Sequence, residues 1–202
     1  MTLVQLKDLR ELSVIVVHPS DEDGHKVYDQ VNRIGCKVEA LWPPPHKLPK
    51  QTDVVIVGMS HEYHKTLKAL LRRAEQPAPA IIALAEYENA AMLHLMLDLN
   101  VLAIISKPVR PFGILTNLVV ARNSWLVQRD IENRLNRSEN RLAVQKRIAK
   151  AKYILMEMQA IGEADAYNSI RAQAMSKRIA INEVAQSIIN AHNLLSGSNL
   201  PD

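Results

Sequence analysis

Asp53-Val54-Val55-Ile56-Val57-Gly58 is the stretch on which the fold turns. Four branched apolar residues in succession leave no polar face, and a glycine closes the run. A strand of that kind is covered on both sides, as inner strands of parallel sheets are. Four neighbours repeat the signal: Leu12–Val17 ends at His18-Pro19, Cys36–Leu41 alternates, and Ala80–Ala85 and Val101–Ile105 are again apolar throughout. Between them lie segments with helical spacing. Residues 22–34 place Val27, Val31 and Ile34 on one face, residues 62–74 do so with Leu67, Leu70 and Leu71, and residues 89–99 form a third helix. Trp42-Pro43-Pro44-Pro45 is an extended loop, because proline lacks an amide hydrogen and restricts its neighbour. Strands alternating with helices over about 110 residues predict an α/β flavodoxin-like, doubly wound, parallel five-stranded sheet.

The pattern changes after Lys107-Pro108. From Ile114 to about Met158 there is neither proline nor glycine, too long a run for an ordinary globular helix. A heptad reading puts Ala121, Gln128, Leu135, Leu142, Ala149 and Met156 at one core position and Ser124, Ile131, Ser138, Gln145 and Lys152 at the other. Polar residues in such a seam fix register at some loss of stability. The expectation is a dimeric coiled coil, against a single helix lying along the sheet domain. Gly162 is expected to break this helix. A helix over 163–178 then turns Ala166, Ile170, Ala174 and Met175 inward, and another over 183–195 does so with Val184, Ile188, Ile189 and Leu195. The domains are therefore read as 1–122, a coiled-coil linker over 123–146, and a small all-α three-helix module over 147–202.

The composition narrows the function. The chain has 202 residues, 48% of them hydrophobic, so a substantial core can form; only 4% are aromatic, so that core is aliphatic. A lone Cys36 cannot form an internal disulfide, which fits a reducing compartment. Met1-Thr2-Leu3-Val4 starts no signal peptide, and no apolar run approaches the roughly 20 residues that span a bilayer. A soluble cytoplasmic protein without membrane contact is expected. The net charge of +4 lies in the second half: nine basic residues against three acids fall within 122–152. A neutral half joined to a basic one suggests a sensor joined to a polyanion binder, although basic helix faces are often merely solvated. No glycine-rich phosphate loop is present, so no nucleotide cofactor is expected. His61-Glu62-Tyr63-His64 has two imidazoles at a spacing of three but no third ligand nearby, so these read as surface histidines and no metal is expected. No catalytic triad or carboxylate pair stands out, which argues against an enzyme.

Residues 10–122 resemble the receiver domain of two-component response regulators. That resemblance implies an acidic pair after the first strand, a phospho-accepting aspartate ending the third, a hydroxyl residue after the fourth and a lysine after the fifth. Here the places fall to His18 and Pro19, Gly58, Ala85 and Lys107. Mg²⁺ needs carboxylate oxygens and phosphoryl transfer needs a nucleophile, and the first four residues supply neither. The reading is a pseudo-receiver with a degenerate phosphorylation site. Asp21 and Asp23 are taken as acids at a helix start. Without a phosphoryl group, Lys107 either pairs with a carboxylate or faces water.

Residues 147–189 resemble the ANTAR domain, an RNA-binding module of transcription antitermination regulators. The pattern is Ala151-Lys152, Ile154-Leu155-Met156, Ala166, Ile170-Arg171, Ala174-Met175, Arg178 and Val184-Ala185. Tyr153 and Ile170 depart from it, Tyr153 standing where a small residue is common. Over residues 9–195 the chain is similar to the amidase-operon antitermination regulators, with Ile34-Gly35-Cys36, Leu41-Trp42-Pro43-Pro44-Pro45 and Glu86-Tyr87-Glu88 part of the likeness. The resemblance implies binding to tandem hairpins of leader mRNA, which prevents a terminator from forming. It also implies control by a ligand-sensing regulatory protein and not by phosphorylation. Lys150, Lys152, Arg171, Lys177 and Arg178 are the candidate RNA contacts. Ala151, Ala174 and Met175 either share that surface or pack the bundle. The competing reading is a protein-interaction adaptor whose helical end only dimerises.

Overall fold

A computed structural model describes residues 6–59, 62–86 and 90–197, without the side chains of Leu6, His64 and Ala91. His61, Tyr87 and Glu88 lie outside the described residues. The chain forms two compact units, residues 1–130 and 131–202.

In the first unit a short α1 (Leu6–Leu9) leads into β1 (Ser13–Val17), α2 (Glu22–Ile34), β2 (Lys37–Ala40), β3 (Val54–Gly58), α3 (His64–Arg72), β4 (Ala80–Ala85), α4 (Ala90–Asp98) and β5 (Ala103–Ser106). The five strands are parallel, in the order β2-β1-β3-β4-β5. The 53–58 stretch is thus an inner strand, paired with β1 through Ile15↔Val55 and with β4 through Ile56↔Ile82. Its side chains alternate between two covered faces. Val54 and Ile56 pack with Val14, Val16, Val27, Val31, Ile114 and Leu118; Val55 and Val57 pack with Ile15, Val17, Leu67 and Leu70. A third cluster joins Ala83 and Ala85 to Met92, Leu95, Met96 and Leu99 of α4. Each fully buried side chain of this size stabilises the fold by about 1.5–3 kcal/mol before entropy is counted.

The helix ends follow local chemistry. Asp21 caps α2, its Oδ1 accepting the Gly24 N–H at 2.8 Å. Gly35 ends the helix at φ 100°, a left-handed conformation that side chains disfavour. Cys36 is buried, its thiol donating to the Leu9 carbonyl, and burial raises its pKa. Trp42 meets Tyr63 edge-on with ring centroids 4.8 Å apart, so the proline loop is anchored by an aromatic pair.

The long helix α5 spans Pro111–Gln159 and begins three residues before the expected start, with proline at its first position, where its missing N–H costs nothing. Two contacts bind its first part to the sheet domain, and a third, within the helix, holds their side chains together. Trp125 Nε1 donates to the Ala78 carbonyl at 2.6 Å, Arg122 lies 4.4 Å over the Trp125 ring, and Arg122 Nη2 pairs with Asp53 Oδ1 at 3.3 Å. Asp53 Oδ2 also accepts the Ser13 N–H. Arg122, one of the nine cations counted in the basic run, is thereby committed inside its own unit.

In the second unit the last turns of α5 pack with α6 (Glu163–Lys177) and α7 (Ile181–Leu195). Gly162 does not break α5: Ala160 does, at φ 53°, and Gly162 is the extended N-cap of α6. The core is Ala151, Ile154, Leu155, Ala166, Ile170, Ala174, Val184, Ala185 and Ile189. Four alanines in nine residues let the helices approach closely. Leu195, expected inside, is 77% exposed, and Met175, for which surface and core were both open, is 70% exposed. Met175 follows the buried Ala174 by one residue, and a 100° step carries it off the packed face.

Candidate nucleic-acid interface

The packing of α6 decides which of its side chains reach solvent. Ala166, Ile170 and Ala174 recur at four-residue spacing and are buried. The next stripe around the helix is Tyr167, Arg171 and Met175, at offsets of four, with Arg178 just beyond it at the C-cap, and all four are exposed. Lys177 is exposed in the last turn. Among the described residues, Arg171, Lys177 and Arg178 have no carboxylate within ion-pairing distance, and neither does Lys150 on α5. Arg178 holds φ 54° at the C-cap, its N–H bonded to the Ala174 and Met175 carbonyls. Glycine is the usual residue there, so an arginine is retained against a backbone preference of about 1 kcal/mol.

The other candidates are placed differently. Lys152 is tied to Glu163 at the start of α6, and the hydrogen bond and charge from Lys152 hold the Glu163 carboxyl below its ordinary pKa. Arg147 donates to Asn182 Oδ1 of α7 at 3.0 Å. Ala151 and Ala174, at 0% and 4% exposure, belong to the core, so neither presents a side chain at the surface. Met175 takes the opposite role from that expected of an inner-face residue. Tyr167 was not singled out from the sequence. Its spacing of four before Arg171 was the available signal.

In the sheet unit the residues at the receiver positions come together but do different chemistry. His18 is 5% exposed, and its Nδ1 lies 2.9 Å from the Pro19 carbonyl and 3.3 Å from Asp21 Oδ1. A Cβ at Gly58 would fall 2.5 Å from His18 Cδ2, and one at Gly24 3.0 Å from His18 Nδ1. The imidazole therefore lies where any side chain at position 58 would have to pass. Ala85 borders a cavity of about 390 Å³ lined by Met92, Leu93 and Ile104 and by the polar Glu86, Ser106 and Lys107. Lys107 faces carboxylates: Asp23 Oδ2 is 3.5 Å and Asp21 Oδ2 4.0 Å from its Nζ. Asp23 Oδ1 also accepts the Val109 N–H. The two aspartates thus do more than begin a helix. Partial burial works against ionisation of Asp21, yet the Gly24 N–H together with His18 and Lys107 outweighs it and leaves the pKa lowered.

Residues 12–122 match the family model described as AmiR, N-terminal, which is more than half of the chain. The chain belongs to the AmiR family. Residues 136–189 match the ANTAR domain. The aliphatic amidase regulator of Pseudomonas aeruginosa is 32% identical over 184 residues, covering 91% of this chain and 94% of the relative. Likeness to solved structures is distant. A receiver domain of a modulated diguanylate cyclase from Desulfovibrio desulfuricans covers 58% of this chain and 98% of that one, at 13% identity and a TM-score of 0.46. A response regulator from Burkholderia pseudomallei with a phosphorylated aspartic acid covers 85% and 95%, at 14% identity and 0.44. This AmiR-family chain joins a receiver-type sheet, a long helix and an ANTAR module. Among the described residues no helix is long and apolar enough to cross a membrane, and no group of three or more His, Cys, Asp or Glu is placed to hold a metal ion.

Proposed function

We propose that this protein is a cytoplasmic transcription antitermination regulator that binds hairpins in nascent leader RNA and so keeps a terminator from forming. The observation that carries the reading is the surface of α6 and its C-cap within the ANTAR match: Arg171, Lys177 and Arg178 stand outward with no acid among the described residues to neutralise them. RNA hairpins present phosphates and splayed loop bases, which such a face can meet. Lys150 is a fourth contact, and Lys152 contributes only in exchange with Glu163. Ala151 and Ala174 act through packing that sets the helices beneath this face.

The active species is a homodimer joined along α5. Support comes from Ile131, Leu135 and Leu142, all more than half exposed on the heptad seam and in need of a second copy to bury them. Two modules on one dimer match two linked hairpins, and the second contact gains from effective concentration. Control comes from a partner protein, not from phosphorylation: His18 closes over Gly58, Ala85 has no hydroxyl, and Lys107 is held by Asp21 and Asp23.

A gel shift tests the reading, with full-length protein, RNA carrying two tandem hairpins, and duplex DNA of the same sequence. Salt-sensitive retention of the RNA is expected. Preference for the duplex DNA, or no RNA retention at low salt, overturns it.

A further inference from the structure

The second unit contains two aromatic residues, Tyr153 and Tyr167, and its core uses neither. Both are exposed, at 63% and 39%. Aromatic side chains offer the largest apolar area a small module has, and a core this poor in bulk would gain by burying one. Keeping both outside leaves their ring faces for another molecule. They differ in their surroundings. Tyr153 lies on α5, where the helix packs into the module core through Ile154, Leu155 and Met156, and its hydroxyl reaches Glu157 Oε1 at 3.5 Å. Tyr167 lies on α6, and no hydrogen bond engages its hydroxyl among the described residues.

From Tyr167 the exposed face of α6 carries a ring, a guanidinium and a thioether, and a second guanidinium, Arg178, follows at the C-cap. Arginine binds phosphate oxygens in a bidentate way and stacks on bases. Methionine is unbranched and adapts to flat apolar partners. A face of cations alone would hold any polyanion. Cations interleaved with an exposed ring and an exposed thioether fit an unpaired nucleotide, which has a phosphate on one side and an aromatic face on the other.

We propose that Tyr167 is a stacking platform for one unpaired loop base of the bound RNA, with Arg171, one turn on, at its flanking phosphate and Met175 and Arg178 against the nucleotides beyond. This rests on the RNA-binding function proposed above and adds how unpaired loop nucleotides are told from duplex. The platform acts by its ring, so its contribution is independent of ionic strength, whereas that of the arginines is not.

The test uses full-length protein and a tandem-hairpin RNA selected by the wild-type chain from a pool with randomised loops, then resynthesised with 2-aminopurine at single loop positions. Wild-type binding should quench one loop position by stacking. Tyr167→Ala should weaken binding by about 5- to 150-fold, the range for loss of one stacked base. It should abolish that quench and leave the salt slope unchanged. Tyr167→Phe should restore both affinity and quench. Arg171→Ala should lower the salt slope and keep the quench. Helix content of the Tyr167 variants is checked by circular dichroism; the site is on the surface, and alanine suits a helix. Unchanged affinity and quench in Tyr167→Ala, or failure of phenylalanine to restore them, overturns the platform. Failure of the wild-type chain to enrich any RNA overturns the RNA-binding reading instead.

Discussion

Lys107 of the sheet unit and Arg171 of the helical unit carry the same charge in different company. Lys107 stands between Asp21 and Asp23, beside a buried histidine that covers Gly58. Arg171, with Lys177 and Arg178, meets no acid among the described residues. A cation answered from within holds elements together and has little charge left to offer a ligand. A cation left unanswered on a folded helix adds little to stability and keeps its attraction for a polyanion. In the sheet unit the charges near His18 are answered internally, whereas in the helical unit these cations are left unanswered among the described residues.

The comparison is tested most forcefully at Gly58. If His18 has taken the space of a phospho-acceptor, Gly58→Asp should destabilise the protein by about 1–3 kcal/mol through overpacking, read from urea unfolding. Adding His18→Ala should recover much of that loss, as coupled neighbours do. Full stability of the single variant would show that the pocket still has room. Arg178 sharpens the other side. Arg178→Gly should raise stability by about 0.5 kcal/mol, because glycine suits the left-handed C-cap, while weakening RNA binding about tenfold. Those opposite signs separate a functional residue from a structural one.

Lys107→Met should cost about 1 kcal/mol of stability and leave RNA affinity unchanged in a filter-binding assay. A loss of RNA affinity would show that the two cations are not different in kind. The smallest effect is in acid. The Asp21 pKa lies below its ordinary value of 3.8 in the folded chain. Its contribution to stability is therefore complete above the unfolded pKa and is lost as pH falls through the lower folded one. Asp21→Asn should flatten the stability profile below about pH 4 and leave its shape near neutrality unchanged.

Periodicity made most of the sheet legible. Val54–Val57 had to be an inner strand, and the 22–34 helix is found at those bounds, because its apolar spacing, its capping aspartate and Gly35 agree. Other features depended on contacts that no local pattern encodes. Lys107 and Asp23 are far apart in sequence, and their pairing follows from the way the segment after β5 meets the start of α2, where Asp23 also accepts the Val109 N–H. Ala160 in place of Gly162 as the helix breaker was hidden, since alanine is a good helix former and tertiary packing overrides it. Of the candidate binding residues, the charges are visible in the sequence and their availability is not. Glu163 and Asn182 claim Lys152 and Arg147 only once the three helices pack. Leu195 reads as inward because it is apolar and Met175 reads either way, yet each falls beyond the edge of its helix's buried stripe.

The central claim is that the unpaired arginines of α6 hold RNA. Its most direct test is the salt dependence of binding between full-length protein and tandem-hairpin RNA, for wild type and for the Arg171→Ala, Arg178→Ala double variant. The log–log slope should fall in magnitude by about one for each arginine removed, with a marked loss of affinity at low salt. An unchanged slope and an unchanged affinity in the double variant would contradict the account.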